Sequence, residues 1–323
     1  MPKPLVSIVI STYNTAQYLP TAIRSCLAQT YQETEIIVVD DGSPDDTLSA
    51  LKDFTEVHYI RKTNGGVASA RNRGLLEAKG EFIQILDADD YLLPTKIERC
   101  MQTFETQPSA HVVYTDFEQR TADLSSRYIG QKQYILDRPQ GQILLSLLRN
   151  LNAYFPPNAA LVRRNILEQV GGFNERLKGT DDWYLWINLA AHDAEFRYIP
   201  EVLAWSRMTP GSLSKQKLVF SEARLFAWED LQLLPIPQTY FQQIDLNAKL
   251  ADRHHVLALV YWEDRRLVEA REHFRAAIKL QLNGRSGRRL LLMCTYALSR
   301  RHAAQMISRL VRLRSSLFDM NQS

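Results

Sequence analysis

The sequence contains no apolar run long enough to cross a membrane. A transmembrane helix needs roughly 18 to 20 consecutive apolar residues, and no stretch approaches that length. The apolar stretch near the start, in MPKPLVSIVIST, is too short for a secretory signal and has no small-residue cleavage site. We therefore expect a cytoplasmic protein, or one that lies on the cytoplasmic face of a membrane.

Cysteine is also scarce. The three cysteines, Cys26, Cys100 and Cys294, show no CxxC spacing, and any disulfide would leave one thiol over. This pattern fits a reducing compartment. We expect the thiols to be small core residues rather than metal ligands.

The glycine motifs that cradle phosphate groups are missing as well. There is no GxGxxG after the first apolar run and no GxxxxGK[ST] anywhere in the chain. These absences argue against a dinucleotide-dependent oxidoreductase and against a P-loop nucleotide hydrolase.

The composition is that of a soluble globular protein with a sizeable core. Of the 323 residues, 45% are hydrophobic and 23% are charged, and the net charge is +3. A chain of this length holds one large domain, or a domain of about 200 to 250 residues with an appendage.

Strand and helix patterns alternate through the first part of the chain. The patterns predict strands at residues 6–11, 35–43, 57–61 and 82–86, and helices at 16–30, 45–54 and 67–78. Such alternation with short connections is typical of a parallel sheet built from right-handed crossovers. We predict an α/β fold with a mostly parallel, Rossmann-like sheet flanked by helices, followed by an α-helical C-terminal extension.

Polar clusters follow three of these strands, at residues 11–14, 40–43 and 87–90. Ligands of parallel sheets bind beyond the carboxyl ends of the strands, so we expect the clusters at one binding edge. With Arg71 and Arg73 nearby in sequence, they suit a metal-bound diphosphate. Carboxylates hold a hard divalent cation, and a guanidinium binds phosphate oxygens.

Each cluster also has a simpler explanation on its own. The second suits a turn at Gly42 with a helix cap at Ser43 or Asp45. The third suits an acidic surface turn, with Asp90 capping the turn that leads into the next helix. The two arginines suit a solvated helix face.

The segments VSIVISTYN, IIVVDDGSPDDT, NGGVASARNRG and ILDADDYLLP occur in the order and spacing of a known family. The sequence resembles the family 2 glycosyltransferases over about residues 4–215, and the likeness continues through PPNAALVRRNILEQVGGFNERLKGTDDWYLWINLA. The resemblance implies a GT-A fold and an inverting, metal-dependent glycosyltransferase of the hexosyltransferase type. Its donor would be a nucleotide-diphosphate sugar, with a UDP-sugar favoured. Its acceptor would be a saccharide or lipid-linked hydroxyl, in cell-surface polysaccharide, lipopolysaccharide or glycolipid synthesis.

The resemblance also implies roles for individual residues at the donor site. The implied donor-binding residues are Thr12, Tyr13, Asn14, Asp40, Asp41, Arg71 and Asp87. Thr12, Tyr13 and Asp40 would frame the base, with Asp41 close by, and Arg71 would lie near the diphosphate. Asp87 would face the ribose and the metal, and Asp89 would ligate the divalent ion, Mn²⁺ or Mg²⁺.

A second acidic pair lies in the stretch Gly179-Thr180-Asp181-Asp182-Trp183. Helix capping explains it simply, because Thr180 can cap and acidic residues favour a helix N-terminus. In the family the second acid of the corresponding pair is the base, which implies Asp182 as base with Asp181 supporting it or contacting the acceptor. This chain has Asp rather than Glu at 181, so which carboxylate is the base stays open. Trp183 and Trp186 either stack on a sugar or pack, and packing is favoured for Trp186.

The segment TPGSLSK, at residues 209–215, departs from the family. Many relatives carry a histidine just before its Gly-Ser, in a loop that closes over the diphosphate. Closure of this loop over the diphosphate would here depend on Arg207, Ser212 or Lys215. Arg163 and Arg164 are expected to be salt-bridged surface or strand-end residues.

The C-terminal third has a different character. We divide the chain into a catalytic domain at 1–215, with a nucleotide-sugar-binding half at about 1–110 and an acceptor half at 111–215, and a helical region at 216–323. Residues 252–280 resemble one tetratricopeptide hairpin, with two helices joined near residues 263–266. This hairpin either packs on the catalytic domain or binds a protein partner.

The end of the chain is strongly basic. Residues 285–314 contain eight arginines and no acidic residue, interleaved with apolar residues. This pattern favours binding to an anionic membrane surface. A solvated arginine face over a core contact is the simpler alternative. No nucleic-acid-binding motif accompanies the charge, so nucleic acid is not expected as a partner.

Two other classes of protein remain open from the sequence. One is a catalytically silent glycosyltransferase-like scaffold that binds partners through its helical tail, although it would have no use for the acids at 40, 87, 89 and 182. The other is a sugar nucleotidyltransferase. It would need a Gly-rich, Arg-containing loop after the first strand, and STYNTAQYL lacks one.

Overall fold

The computed structural model describes residues 2–127, 138–149, 155–209 and 216–282. The strands in these ranges are β1 (Val6–Thr12), β2 (Thr34–Asp40), β3 (Val57–Arg61), β4 (Phe82–Asp87), β5 (Tyr91–Leu92), β6 (Val112–Arg120), β7 (Ala160–Arg163) and β8 (Phe196–Arg207). The helices are α1 (Leu19–Leu27), α2 (Thr47–Leu51), α3 (Val67–Glu77), α4 (Lys96–Thr106), α5 (Leu144–Arg149), α6 (Arg164–Gln169), α7 (Asp181–Ala191), α8 (Lys217–Asp230), α9 (Gln238–Ile244), α10 (Leu246–Glu263) and α11 (Leu267–Leu282).

The strands form one eight-stranded sheet within the described ranges, in the order β3-β2-β1-β4-β7-β6-β8-β5. The first four strands along the chain are parallel neighbours, as the alternation of strand and helix predicts. The second half is mixed, because β7 runs antiparallel to both β4 and β6. The predicted α/β fold is confirmed, with helices on the two faces of the sheet.

Alternate residues of the central strands pack into different apolar layers. In β1 every residue is buried, and Ile8 and Ile10 face a layer with α1 and α4. Val9 faces the opposite layer, which contains α3, α7 and the C-terminal helices. Burial on both faces explains why β1 reads as a continuous apolar run rather than an alternating one.

Helix α3 lies unusually close to β1. A Cβ atom built on Gly74 would lie 2.2 Å from Cγ1 of Val9, so only glycine fits at this point of the helix. This close approach fixes the position of α3, which carries Arg71, against the central strand.

Some helix boundaries differ from the sequence prediction. Helix α1 begins at Leu19 rather than near residue 16, with Pro20 in its first turn. The cap of α2 is Asp46, whose carboxylate accepts from Ser49 N, so the predicted caps Ser43 and Asp45 were wrong. Asp45 instead accepts a hydrogen bond from Ala16 N, which ties it to the loop after β1.

The C-terminal helices form the predicted hairpin and share the core of the sheet. Helices α10 and α11 pair closely, and α10 packs on α8. Trp228 of α8 is fully buried, with its ring 5.4 Å from that of Trp183 in α7. In the described part of the chain the hairpin therefore packs against α8, whose Trp228 lies in the same apolar cluster as α7.

Cys26 and Cys100 are buried core residues, as expected, and Cys294 lies outside the described residues. Burial raises the pKa of the Cys26 thiol to about 12, which keeps it protonated and unreactive. Among the helices of the described ranges, none is both long and apolar enough to cross a membrane.

Candidate active site

The strand register brings the predicted polar clusters together at one edge of the sheet. Thr12 lies opposite Asp40 on β2, and Ser11 lies opposite Asp87 on β4. The Ser11 hydroxyl donates to Asp87 over 3.0 Å. The prediction that these strand ends lie at one edge of the sheet is confirmed by this register.

Asp40 is fully buried at the end of β2. It accepts hydrogen bonds from Ser43 N and from the Tyr59 hydroxyl, each at 2.7 Å. Burial works to raise the pKa of Asp40, but the bonds from Ser43 and Tyr59 and the charge of Arg61 lower it below its usual value. Asp40 is therefore a fixed negative charge beneath the predicted base site.

Asp41 holds the loop that leads into α3. Its carboxylate accepts from Lys62 Nζ at 2.7 Å, from Gly65 N at 2.9 Å and from Gly66 N at 2.7 Å. The predicted position of Asp41 beside the base stays a prediction. Its hydrogen bonds from Gly65 N and Gly66 N stabilise the turn at residues 64–66.

Tyr13 and Asn14 lie in the loop after β1. Tyr13 is 51% exposed, which leaves its ring open to a flat ligand such as a base. Asn14 has a φ of +54° in the left-handed region, which asparagine tolerates better than most residues. The backbone N–H of Asn14 donates to the Ser43 hydroxyl, so the loops after β1 and β2 are joined.

Arg71 connects two carboxylates that are distant in sequence. One terminal nitrogen donates to Asp181 at 2.6 Å, and the other donates to both oxygens of Asp87, at 2.8 and 3.0 Å. Its side chain lies 5.2 Å from the centre of the Phe173 ring. Burial works to lower the pKa of Arg71, but the charges of Asp87, Asp181 and Asp182 raise it above its usual value, so the group stays charged.

Asp87 and Asp89 lie in the turn after β4 and differ in their surroundings. Asp87 is half-exposed and paired with Arg71. The partly buried Asp89 carboxylate has a contact of 3.5 Å with the Thr209 hydroxyl. Burial and the negative charge of Asp87 raise the pKa of Asp89 to about 6. The charge of Arg207 and the hydrogen bond from Thr209 oppose this rise only in part.

Asp90 does not cap a turn, contrary to the sequence expectation. It is buried and accepts from Asn158 Nδ2 at 2.7 Å, Arg207 N at 2.9 Å and Ser206 Oγ at 3.3 Å. Burial, with the charges of Asp89 and Asp87, raises the pKa of Asp90 well above its usual value. Asp90 therefore ties the acidic turn to β8.

Arg207 supports the same turn from the end of β8. Its Nε donates to the carbonyl oxygen of Asp89 at 2.7 Å, and its guanidinium lies 4.6 Å from the centre of the Tyr18 ring. Ser212 and Lys215, the other residues predicted for the lid, lie outside the described residues. Neither Asn158 nor the contact of Arg207 with this turn was predicted, since no local pattern reports a partner so distant in sequence.

Helix α7 begins with the predicted acidic pair. Thr180 occupies the cap position, but its side chain makes no capping hydrogen bond. Burial raises the pKa of Asp181, while Arg71 opposes the rise. Asp182 is 9% exposed, and its carboxylate accepts from Trp183 N at 2.7 Å.

The aromatic residues of α7 pack into the core. Trp186 Nε1 donates to the Phe155 carbonyl at 3.0 Å, and Trp183 packs against Trp228. The expected packing of Trp186 is confirmed. Arg163 and Arg164 form ion pairs with Glu81 and Glu168, as expected for strand-end and surface residues.

The sequence model of the family described as "Glycosyl transferase family 2" matches residues 7–171. The chain belongs to glycosyltransferase family 2. Among curated relatives, an uncharacterized glycosyltransferase of Rickettsia typhi, RT0329, is 36% identical over 208 residues, covering 64% of this chain and 64% of that protein. A chondroitin synthase of Escherichia coli is 29% identical over 191 residues, covering 58% of this chain and 26% of that protein. The chain thus spans only part of these relatives.

Solved structures support the same fold. Residues 1–349 of S. aureus TarS, crystallised with UDP, superpose with a TM-score of 0.64 at 19% identity, covering 90% of this chain and 86% of that one. The mannosyltransferase PcManGT from Pyrobaculum calidifontis, in complex with GDP-Man and Mn²⁺, gives a TM-score of 0.57 at 21% identity, covering 96% and 84%. The predicted GT-A fold is confirmed by these neighbours.

Proposed function

We propose that this family 2 glycosyltransferase transfers a hexose from a nucleotide-diphosphate sugar to an acceptor hydroxyl with inversion at the anomeric carbon. The observation that carries the proposal is the cluster of Asp87, Arg71 and Asp181, in which Arg71 and Asp181 are buried. It joins the acidic turn at the strand ends to the acidic pair of α7, although Arg71 and Asp181 are 110 positions apart. Donor-side and acceptor-side carboxylates therefore share one site.

The donor would lie over the ends of β1 and β2. The exposed Tyr13 ring suits stacking against a nucleobase, the charge of Asp40 lies buried beneath this edge, and Thr12 completes it. A UDP-sugar is favoured. TarS has been crystallised with UDP and with UDP-GlcNAc, and PcManGT with GDP-Man, which supports a nucleoside-diphosphate sugar as the class of donor.

Asp87 and Asp89 fit a divalent cation, Mn²⁺ or Mg²⁺. Asp87 is paired with Arg71, whereas burial and the charge of Asp87 raise the pKa of Asp89 to about 6, so a cation held by Asp89 would stabilise its charged form. The described residues contain no group of three or more metal-ligating His, Cys, Asp or Glu side chains. Two carboxylates suffice where substrate phosphates complete the coordination, as is usual for Mg²⁺. When bound, the cation would neutralise charge developing on the diphosphate leaving group.

Asp182 is the better candidate for the base. One oxygen of Asp181 is occupied by Arg71 at 2.6 Å, so Asp181 is held as a support. Asp182 would accept the proton of the acceptor hydroxyl while the oxygen of that hydroxyl bonds to the anomeric carbon. The bond between that carbon and the diphosphate oxygen breaks on the opposite face, which inverts the configuration.

The test is nucleotide binding with and without metal. UDP, GDP, dTDP and CDP are added to the protein, each with and without Mn²⁺, and the melting temperature is measured. A donor site stabilises the fold by RT ln(1 + [L]/Kd), about 2.7 kcal/mol at a hundredfold excess over Kd. We expect the largest shift with UDP plus Mn²⁺. If no nucleotide shifts the melting temperature, the donor site is refuted and a silent scaffold is favoured.

The metal assignment is tested by Asp89→Asn beside Asp53→Asn, which changes an exposed acid in the connection between α2 and β3. Asp89→Asn is expected to remove the part of the nucleotide-induced shift that depends on Mn²⁺. Asp53→Asn should leave the shift unchanged. A Mn²⁺-dependent shift that persists in Asp89→Asn contradicts Asp89 as a ligand.

The wider context is also proposed. Residues 1–215 would form the catalytic domain and 216–323 a helical region that binds the membrane or a protein partner. The acceptor would be a saccharide or a lipid-linked saccharide of cell-surface polysaccharide, lipopolysaccharide or glycolipid synthesis, used at the cytoplasmic face of the membrane. The basic segment 285–314 that motivates this location lies outside the described residues.

A further inference from the structure

We propose that Arg71 is a positioning residue that holds both carboxylate groups of the active site in place, and that it is not a ligand of the donor diphosphate. The inference deepens the proposed function and rests on it for the roles of Asp87 and Asp182. Its independent evidence is the pair of salt bridges by which Arg71 joins Asp87, at the end of β4, to Asp181, at the start of α7.

Both terminal nitrogens of Arg71 are bonded to carboxylates, and its Nε is buried without a hydrogen-bond partner among the described residues. One terminal nitrogen is bonded to Asp181 and the other to both oxygens of Asp87. The residue is only 3% exposed, and its ring contact with Phe173 covers the guanidinium further. A phosphate group would have to displace a carboxylate from a buried, charge-assisted hydrogen bond. Arg71 is therefore committed to the protein.

The Asp181 end of the bridge fixes the first turn of α7. Thr180 makes no side-chain capping bond there, and its hydroxyl is buried without a hydrogen-bond partner among the described residues. The ion pair with Arg71 is thus a side-chain contact that ties the first residue of this helix to α3. Asp182 is the next residue, so its direction depends on that contact.

The Asp87 end is equally constrained. The Ser11 hydroxyl and Arg71 both donate to Asp87, which aims the remaining exposed part of the carboxylate away from Arg71. Removal of the guanidinium would leave the buried Asp181 and the partly exposed Asp87 as neighbouring like charges with no cation between them, and repulsion would separate them.

Helix α3 gives Arg71 a rigid base. Gly74 lies against Val9 of β1, and the Asn72 side chain donates to the Phe173 carbonyl and accepts from Phe173 N. Arg71 of α3 is therefore bonded to α7, and the next residue, Asn72, is bonded to the loop that precedes α7. Helix α3 thus connects the donor half of the site to the start of α7, where Asp182 lies.

The experiment compares Arg71→Gln with Arg73→Gln, a matched control two residues away on the same helix. Arg73 is about half-exposed and pairs only with Glu77 in the described part of the chain. The readouts are the affinity for UDP plus Mn²⁺, the release of UDP from UDP-GlcNAc and of GDP from GDP-Man, and amide hydrogen exchange at residues 180–184.

For Arg71→Gln we expect an unchanged nucleotide dissociation constant, faster exchange at 180–184, and a kcat lower by on the order of a hundredfold, the loss typical of an ångström-scale misplacement. Arg71→Lys should recover part of kcat, because a single ammonium can hold one carboxylate firmly but not both. Arg73→Gln should match the wild type in every measurement.

Asp181→Asn is a second variant, since Arg71→Gln leaves buried carboxylates unpaired and can impair folding. Asp181→Asn should reproduce the fall in kcat, and the two changes together should cost little more than one, because they remove the same contact. Weaker nucleotide binding by Arg71→Gln with kcat retained would make Arg71 a phosphate ligand and overturn the proposal. Unchanged hydrogen exchange at 180–184 would also overturn it.

The outcome separates this inference from the proposed function. If the wild type neither binds a nucleotide nor releases one from either donor, the proposed function fails. The exchange comparison between Arg71→Gln and Arg73→Gln still decides whether Arg71 anchors α7.

Discussion

The two carboxylates that begin α7 are neighbours in sequence but have different surroundings. Asp181 is buried and bonded to Arg71, and burial raises its pKa despite that partner. Asp182 is 9% exposed, so an edge of it reaches solvent. A base must contact the hydroxyl that it deprotonates. This difference in access, rather than the order of the two acids in the sequence, favours Asp182 as the base.

Asp182→Asn is expected to lower sugar transfer by about 10² to 10⁴-fold, the usual contribution of a general base. Nucleotide binding should persist, because the donor residues lie on other elements. Asp193→Asn is the control, since Asp193 is exposed just beyond α7 with a φ of +61°, a conformation that asparagine also adopts. The measurements are kcat with a fixed donor and the nucleotide-induced melting shift. Transfer at the wild-type rate by Asp182→Asn would exclude this residue as the base.

Residues at strand ends were predictable, and their supporting partners were not. Asp40 and Asp87 follow apolar runs directly, so the strand pattern alone places them at the binding edge. Asp90 follows the same run, yet its partner Asn158 is 68 positions away and carries no local signature. The sequence places Arg71 near the site only as a charge, because its two partners depend on how α3 and α7 pack. Pairing across such distances is set by tertiary structure.

The close contact of α3 with β1 can be tested by a substitution at Gly74. Gly74→Ala would place Cβ 2.2 Å from Val9 Cγ1, so the helix must move away from the strand. Overpacking of this kind costs about 1 to 3 kcal/mol of unfolding free energy. Helix propensity alone would favour Ala over Gly by roughly 1 kcal/mol. A lower free energy of unfolding for Gly74→Ala therefore indicates overpacking against Val9, and a higher one indicates helix propensity.

Urea unfolding measures this difference, and Leu76→Ala is the control because Leu76 is 80% exposed on the same helix. The control should stay within about 0.5 kcal/mol of the wild type. A more stable Gly74→Ala variant would contradict the close packing of α3 on β1.

The hairpin of α10 and α11 contains a pair of facing histidines that gives it a pH dependence. The Nδ1 atoms of His254 and His273 lie 2.8 Å apart. Burial, and then His273, lower the pKa of His254 to about 4, and burial lowers that of His273. The carboxylates facing the pair are Glu229, 3.8 Å from His254 Nε2, and Glu222 and Glu272, whose charges oppose the shift of His273.

The sign of the effect follows from proton binding. Below the ordinary histidine pKa of about 6.5 the unfolded chain binds protons that the folded hairpin resists, so stability is lost as the pH falls from about 6.5 towards 4. Each resisted proton contributes about 1.4 kcal/mol per pH unit in this window. Melting temperatures at pH 7.5, 6.5 and 5.5 should therefore fall more steeply for the wild type than for His254→Asn. Equal slopes would contradict the lowered pKa.

At the scale of the whole molecule, the donor half and the rest of the fold differ in how much their sequence reveals. The first four strands follow a repeated strand–helix order, and such a repeat predicts a parallel sheet with little ambiguity. Strand β7 inserts antiparallel between β4 and β6, and nothing in its four residues specifies that pairing. The insertion matters to the site because Asn158, in the turn before β7, thereby meets Asp90. The half with the irregular topology supplies the parts of the site that sequence patterns did not reveal.

The location of the whole molecule should depend on the part of the chain after the hairpin. Residues 285–314 contain eight arginines and no acidic residue, whereas the full chain carries a net charge of only +3. Removing residues 285–323 should shift the protein from the membrane fraction to the soluble fraction, and binding to vesicles with anionic lipid should be lost. Each arginine near an anionic surface contributes about 1 kcal/mol, an attraction that falls off within a Debye length, so added salt should weaken binding of the full chain as well. A full-length variant with all eight arginines changed to glutamine separates charge from apolar contact. An unchanged distribution of the truncated protein would leave the membrane surface without support as a partner.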